Sequence, residues 1–389
     1  MRHLPLAVIA VLSAALPGPA SAGTWEEGPM FTDDRLQPIL LFRTLFVYTQ
    51  EDTRTVAGPG GQPLVLDTTK MDASQFGHRD GFVLDSVEVG LKGRFEETGI
   101  YYQGKFELVP READGNRSSD YLKDAYAGWN KFKWLDVAAG RMKIPFSQAT
   151  LKSTADQELV YAPTLTTLTP KRQLGVRVSG GDPGRIVRLS GGVFDSVALA
   201  TEQLNSTDQL LYVARLDLRV DNALRALNLH FLDFEWNLAA DVAWVKQNYD
   251  PPTEHRWVGF DSRLHLWRFT LEGELVLKDF YAGDLLPDGT MKADRGWGWH
   301  VDLTGHAWPK VLDVTARLEE MDGDTVVRGA GATLSIDELA KQKKHWFTVG
   351  VIWYVTERAR LDFNYVQRRE LEGYSFDNDV FLGMFQYSM

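Results

Sequence analysis

"FTVGVIWYVTERARLDFNYVQRRE", residues 347–370, decides the fold. Read by twos, it is two runs joined by the short polar segment "TERA" at 356–359. Phe347, Val349, Val351 and Trp353 share one side of the first run. Leu361, Phe363 and Tyr365 share one side of the second, opposite Asp362, Asn364 and Arg368. Side chains alternate between the faces of a strand, so this is a β-hairpin with one wholly apolar face and one polar face.

The same period runs through almost everything after residue 38. Val87, Val89 and Leu91 oppose Glu88, Lys92 and Arg94. Leu174, Val176 and Val178 face away from Arg177, and Val187 and Leu189 away from Arg188. Leu271, Leu275 and Leu277 oppose Glu272, Glu274 and Lys278. The pattern yields about 16 strands, paired as hairpins. The stretch "NALRALNLHFLDFEWNL" (222–238) reads as an over-long bulged strand or an extra hairpin, which makes 18 strands the alternative.

Connectors alternate in length. Short ones fall near 96–99, 131–134, 181–184, 221–224, 267–269, 308–310 and 356–359. Long ones fall near 50–80, 110–120, 145–173, 197–208, 248–256, 282–295, 321–344 and 371–377. A soluble sandwich has no reason for this alternation, whereas outer-membrane barrels join strands by short periplasmic turns and long external loops. Aromatics near strand ends fit interfacial girdles: Tyr48, Trp129, Trp244, Trp257, Trp299, Trp346, Trp353, Tyr365 and Tyr387. The expected fold is all-β, a transmembrane antiparallel up-and-down barrel whose apolar faces meet lipid and whose polar faces meet water inside.

Composition agrees. The 389 residues are 44% hydrophobic and 24% charged, with a net charge of −11 and no cysteine. Disulfides, thiolate metal sites and Cys nucleophiles are excluded. The acidic balance and lack of a basic stripe argue against nucleic acid. A run of about 20 apolar residues, as a membrane helix needs, is lacking. A basic start, the apolar segment Leu4 to Leu16 and the "ASA" at 20–22 read as a signal peptide cleaved after Ala22. The expected organisation is signal peptide 1–22, a periplasmic amino-terminal segment 23–37, and a barrel 38–389. That implies the outer membrane of a Gram-negative bacterium.

Three segments resemble the core signature of the phosphate-selective porin O and P family: "LKDAYAGW" (122–129), "DVAAGRMKIPFS" (136–147) and "YAPTLTTLTPKRQLGVRVSG" (161–180). The hairpin "TVGVIWYVTERARLDFNYVQ" (348–367) is similar to that family's closing hairpin. The resemblance implies a 16-stranded homotrimeric porin whose third external loop folds inward and narrows the channel. Two features depart from the family. The inferred lumen charges are mixed in sign instead of densely basic, and the chain ends in Met389 where such barrels typically end in Phe.

With the resemblance placing 145–173 inside the lumen, Arg141, Lys143, Lys152, Lys171 and Arg172 bracket or occupy the constriction, against Asp156 and Glu158. Arg43, Lys92, Arg94, Lys105, Arg177 and Arg188 come from neighbouring strands and are candidates for a cationic wall facing that loop. Fixed cations in a narrow passage attract anions and repel cations. The competing reading is that these charges are solvated, or fasten the loop to the wall. Arg215, Asp217, Arg219, Asp241, Asp261 and Arg263 read as wall salt bridges. His265, His300 and His306 read as lumen histidines, not metal ligands, and Glu272 and Glu274 as lumen polarity. Nucleotide-binding and hydrolase motifs are lacking. The reading is a passive porin for small hydrophilic solutes, with a preference for anions such as phosphate and no cofactor. The alternative is a structural or adhesive barrel with a plugged lumen.

Overall fold

The computed structural model describes residues 36–50, 53–57, 63–67, 81–109, 112–113, 116–117, 121–132, 134–182, 186–195, 210–227, 233–247, 253–285, 291–322, 343–370 and 379–389. The expected signal peptide, and nearly all of the amino-terminal segment, lie outside these residues.

In chain order the first strands are β1 (Gln37–Thr49), β2 (Thr53–Ala57), β3 (Pro63–Asp67), β4 (Gly81–Phe95), β5 (Ile100–Glu107), β6 (Glu112–Ala113) and β7 (Asn116–Arg117). Next come β8 (Leu122–Trp129), β9 (Leu135–Lys143), β10 (Arg172–Gly181), β11 (Val187–Asp195), β12 (Leu210–Arg219), β13 (Phe234–Gln247) and β14 (Thr253–Leu266). The last are β15 (Phe269–Leu285), β16 (Met291–Trp308), β17 (Leu312–Asp322), β18 (Lys344–Tyr354), β19 (Ala359–Glu370) and β20 (Val380–Ser388). Two small hairpins, β2–β3 and β6–β7, stand apart; the other 16 strands form one closed antiparallel barrel. Pairing of β1 with β20, from Leu41↔Ser388 to Thr49↔Val380, shuts the ring. Closure leaves no backbone edge unpaired in hydrocarbon.

The strand faces follow the sequence pattern. On β10, Leu174, Val176 and Val178 are exposed on the outer surface, as are Val187 and Leu189 on β11. In the opening hairpin, Phe347, Trp353 and Phe363 face out, while Thr348, Asp362 and Asn364 are buried inside. One parity switch escapes period-2 reading. Strand β4 slips past β1 between Arg43 and Thr44, with Asp85 as the extra residue. The bulge turns Phe82 and Leu84 outward on one side of it and Val87 and Val89 outward on the other.

Two expectations are corrected. Among its described residues the 222–238 stretch is helix and then the start of β13, not one over-long strand. It begins as a helix, α2 (Val220–Ala226), following the earlier four-residue helix α1 (Gln148–Leu151). Ala, Leu and Arg favour a helix, and Asp221 at its start faces Arg225 one turn on, at 3.8 Å. The second correction concerns connectors 248–256 and 282–295, whose described residues are strand. β14 starts at Thr253, β15 runs to Leu285 and β16 starts at Met291.

Candidate functional site: the inward loop and the wall it leaves bare

Residues 144–171 join β9 to β10 and fold into the barrel. Pro145, Pro163 and Pro170 deny the segment a ladder, so it is built from α1 and two 3₁₀ turns, Thr154–Asp156 and Thr164–Thr167. Its termini are capped locally: the Ser147 hydroxyl accepts the Thr150 N–H at 3.2 Å and the Ser153 hydroxyl accepts the Ala155 N–H at 3.3 Å.

The loop is seated on one side of the barrel, from β13 round to β1. Wall carboxylates accept its backbone N–H groups: Ser147 to Asp241 at 3.1 Å, Ala149 to Glu274 at 2.9 Å, and Thr164 to Glu319 at 2.7 Å. Wall cations donate to its carbonyls. Arg43 reaches Val160 at 2.6 Å, Arg317 reaches Tyr161 at 3.0 Å, and Arg360 reaches Gln157 at 2.7 Å. Trp257 donates to Leu168 and Gln386 to Ala155. A loop backbone inside a barrel has no ladder of its own, and the wall satisfies it.

Apolar packing completes the seat. Leu45, Val47, Trp346, Val366, Val380, Leu382 and Met384 face inward and enclose Val160 and Tyr161. Met142, Ile144, Phe146, Leu165 and Leu168 pack with Phe194, Val213, Val245 and Trp257. Two wall glycines let the loop come close. A Cβ at Gly298 would lie 2.9 Å from the Leu165 Cβ, and one at Gly350 would lie 2.6 Å from Leu159 Cδ2. Trp257 and Trp346, expected in the outer girdle, belong to this inner packing, whereas Tyr48, Trp244 and Trp353 do face outward.

The seat covers the acidic wall. Asp241, Asp261, Glu272, Glu274, Asp302, Asp313, Glu319 and Asp362, on β13–β19, are all buried. Arg215 joins Asp217, Asp241 and Asp261 at 2.6–2.8 Å, Arg317 forks onto Asp302, and Arg263 meets Glu272. These are the wall salt bridges that the alternating charges suggest. Within the loop, Lys152 pairs with Glu158 and with Glu272 at 2.9 Å. Burial and the nearby Glu272 raise the Glu158 pKa, against the pull of Lys152.

The opposite wall, β4 to β11, is richer in cations. Lys92, Arg94, Arg177 and Arg188 point inward there, and Lys143, Lys171 and Arg172 sit where the loop leaves the strands. Lys171 and Arg188 are exposed; Lys92, Arg94, Arg172 and Arg177 are partly so. Lys105 meets Glu88 at 3.0 Å and Asp124 at 3.4 Å, Arg172 meets Asp124 at 2.8 Å, and Arg177 meets Asp136 at 3.2 Å. Arg94 donates to Asn130, a neutral partner.

The expected site residues therefore separate into groups. Arg43, at 1% exposure, and Lys152 hold the loop instead of lining a passage, with Arg43 also 3.3 Å from Asp85. Lys143 likewise donates to the Leu151 and Lys152 carbonyls. Arg141 is the misplaced one. It pairs with Ala125 and Leu174 in the register and so shares the outward face of Leu174. Lys92, Arg94, Lys105, Lys171, Arg172, Arg177 and Arg188 are on or beside the basic wall. Sequence reasoning missed the seat itself, although inward-parity Val47, Val366, Val380, Leu382 and Met384 signal that something apolar must cover them.

The phosphate-selective porin O and P family model matches residues 65–217, so the resemblance carried by the segments above is shown there. No curated protein matches in sequence. The fold is that of solved porins. An anion-selective porin from Comamonas acidovorans aligns at TM-score 0.59 and 11% identity, covering 91% of this chain and 99% of that one. The outer membrane channel DcaP of Acinetobacter baumannii aligns at 0.58 and 14%, covering 91% and 97%. The trimer form of OmpT, an outer membrane protein of Vibrio cholerae, aligns at 0.51 and 11%, covering 91% and 99%.

Proposed function

We infer that this chain is an outer-membrane porin: a passive, water-filled channel for small hydrophilic solutes that favours anions and works as a homotrimer. The observation that carries the anion preference is the asymmetry of the lumen. The inward loop contacts the buried carboxylates Asp241, Glu272, Glu274 and Glu319 of β13–β17, and the cation-rich wall of β4–β11 stays partly exposed beside it. A count of lumen charges treats all of them alike. A passing ion instead responds most to charges that stay exposed to the lumen. Transport follows the solute gradient, and no group in the wall has to change covalently. The family match over 65–217 and the barrel shape support the porin reading, and the trimer form of OmpT supports the oligomeric state.

The test is conductance across a planar bilayer. Discrete open-channel steps support the porin. A barrel that inserts but never conducts would support the plugged-barrel reading and overturn this one.

A further inference from the structure

Two short turns carry side chains that the channel does not use. β14 and β15 are joined by Trp267 and Arg268, with Leu266 and Phe269 paired across the turn. Trp267 has φ 54°. Two-residue hairpin turns give a left-handed position to Gly, because a side chain crowds that backbone, and an indole crowds it more than most. β16 and β17 are joined through Trp308, Pro309 and Lys310, a turn closed by the Val311 N–H on the Trp308 carbonyl at 2.9 Å. Lys310 has φ 65° and also stands where a turn with Pro before it prefers Gly. The turns are neighbours: the His306 N–H donates to the Arg268 carbonyl at 2.8 Å.

Both turns present aromatic surface and positive charge together. Trp267 is 62% exposed and Trp308 68%. The Arg268 guanidinium lies 5.3 Å over the Trp267 ring, and both Arg268 and Lys310 are exposed. The Trp267 ring is 6.4 Å from that of Phe269, which belongs with Leu266 and Leu271 to the exposed outer face. Trp267 therefore sits at the edge of the lipid face, outside the lumen. Asp233, whose carbonyl accepts the Trp267 N–H at 2.9 Å, is the exposed acid of this corner, and on the next turn Glu357 and Arg358 offset each other.

We propose that the turns 266–269 and 308–311 hold the phosphate of an anionic glycerophospholipid, phosphatidylglycerol, in the leaflet at the short-turn end, which the outer-membrane pattern makes periplasmic. Indole rings rest at headgroup depth, with the apolar body toward the acyl chains and the N–H toward water. Arg268 and Lys310 meet the phosphate at that depth, the guanidinium fork taking two of its oxygens. A phosphatidylcholine headgroup brings its own ammonium to the same phosphate and gains less from these cations. The proposal rests on the barrel lying in a membrane, not on its conducting.

The experiment is native mass spectrometry of the full chain, refolded in detergent and given phosphatidylglycerol and phosphatidylcholine in equal amounts. Heat-resistant migration on a gel confirms a closed barrel for every variant. The wild type should retain phosphatidylglycerol about five-fold over phosphatidylcholine, and Arg268→Gln with Lys310→Gln should bring that ratio to about one. Arg256→Gln, at the other end of β14, should leave the ratio as it is. Trp267→Gly should raise the denaturant midpoint in lipid-free detergent, because Gly takes the turn without crowding, and should still lower the lipid ratio at least about two-fold. A wild type that holds the two lipids equally would overturn the proposal. So would a double Gln variant that keeps the full ratio, which would place the lipid elsewhere, or a Trp267→Gly variant that keeps it. Capture of soluble peptidoglycan fragments without any lipid preference would also overturn it, giving this rim a different partner.

Discussion

Replacing Glu319 with Leu tests whether the wall holds the loop in place. Glu319 is 1% exposed and accepts three hydrogen bonds from the loop: Thr164 N–H at 2.7 Å, Thr164 hydroxyl at 3.1 Å and Tyr161 hydroxyl at 3.0 Å. The hydroxyls have recourse. Tyr161 also contacts Thr348, and the Thr164 hydroxyl can rotate. The Thr164 N–H has no substitute acceptor, and a buried donor stripped of a charged partner costs about 2–3 kcal/mol. That is roughly a 30- to 150-fold loss in the ratio of seated to unseated loop. The strand ladder is untouched, so the barrel should keep its heat-resistant migration. Hydrogen exchange over 154–167 should accelerate by about the same factor, and single-channel records should show larger, noisier conductance. Unchanged exchange in that segment would refute the reasoning, as would a barrel that melts earlier while the loop stays protected.

Two further outcomes follow from the outer face and the loop. Phe260 lies mid-strand on β14 and is 51% exposed on the lipid side; Phe260→Arg should cost about 2–4 kcal/mol in folding titrations into lipid, and a cost near zero would mean the face is not in hydrocarbon. The raised Glu158 pKa, caused by burial and by Glu272, gives the selectivity a pH dependence. A carboxyl with a raised pKa takes up its proton early as pH falls, so the loop gains one unit of positive charge before ordinary carboxylates titrate. Chloride preference should therefore rise as pH falls, before the ordinary carboxylate range is reached, in reversal-potential measurements, and Glu158→Gln should lack that early rise.

The strand faces were legible because lipid imposes one rule on every outward position. Leu174, Val176 and Val178 had to be apolar, and alternation then put Arg177 inside. The inside obeys no single rule. Arg43 and Arg188 both read as lumen cations, yet Arg43 is sealed under the loop and Arg188 is open. Their fates depend on where residues 144–171 settle, a contact across more than a hundred residues of sequence. Trp346 read as an interfacial aromatic by type and position near a strand end, but its parity places it against Tyr161. Arg141 was assigned to the pore because it precedes the loop. Counting by twos from Ala139, which is exposed, would have set it outside. Helix α2 was hidden by strong period-2 sequence on both sides of it, with only the Asp221–Arg225 spacing to betray it.

The central claim is that the loop buries the acidic wall and leaves the passage to cations. Single-channel reversal potential in asymmetric KCl tests this most directly. At about 8 Å and an effective dielectric of about 20, each fixed charge shifts the energy of a passing ion by about 2 kcal/mol before screening, so a few exposed cations suffice to set the sign. The wild-type channel should prefer chloride despite a net charge of −11. Lys171→Gln with Arg172→Gln should move the potential toward potassium, most at low salt, while Lys341→Gln with Lys343→Gln should leave it nearly unchanged. A wild-type channel that prefers potassium would contradict the claim.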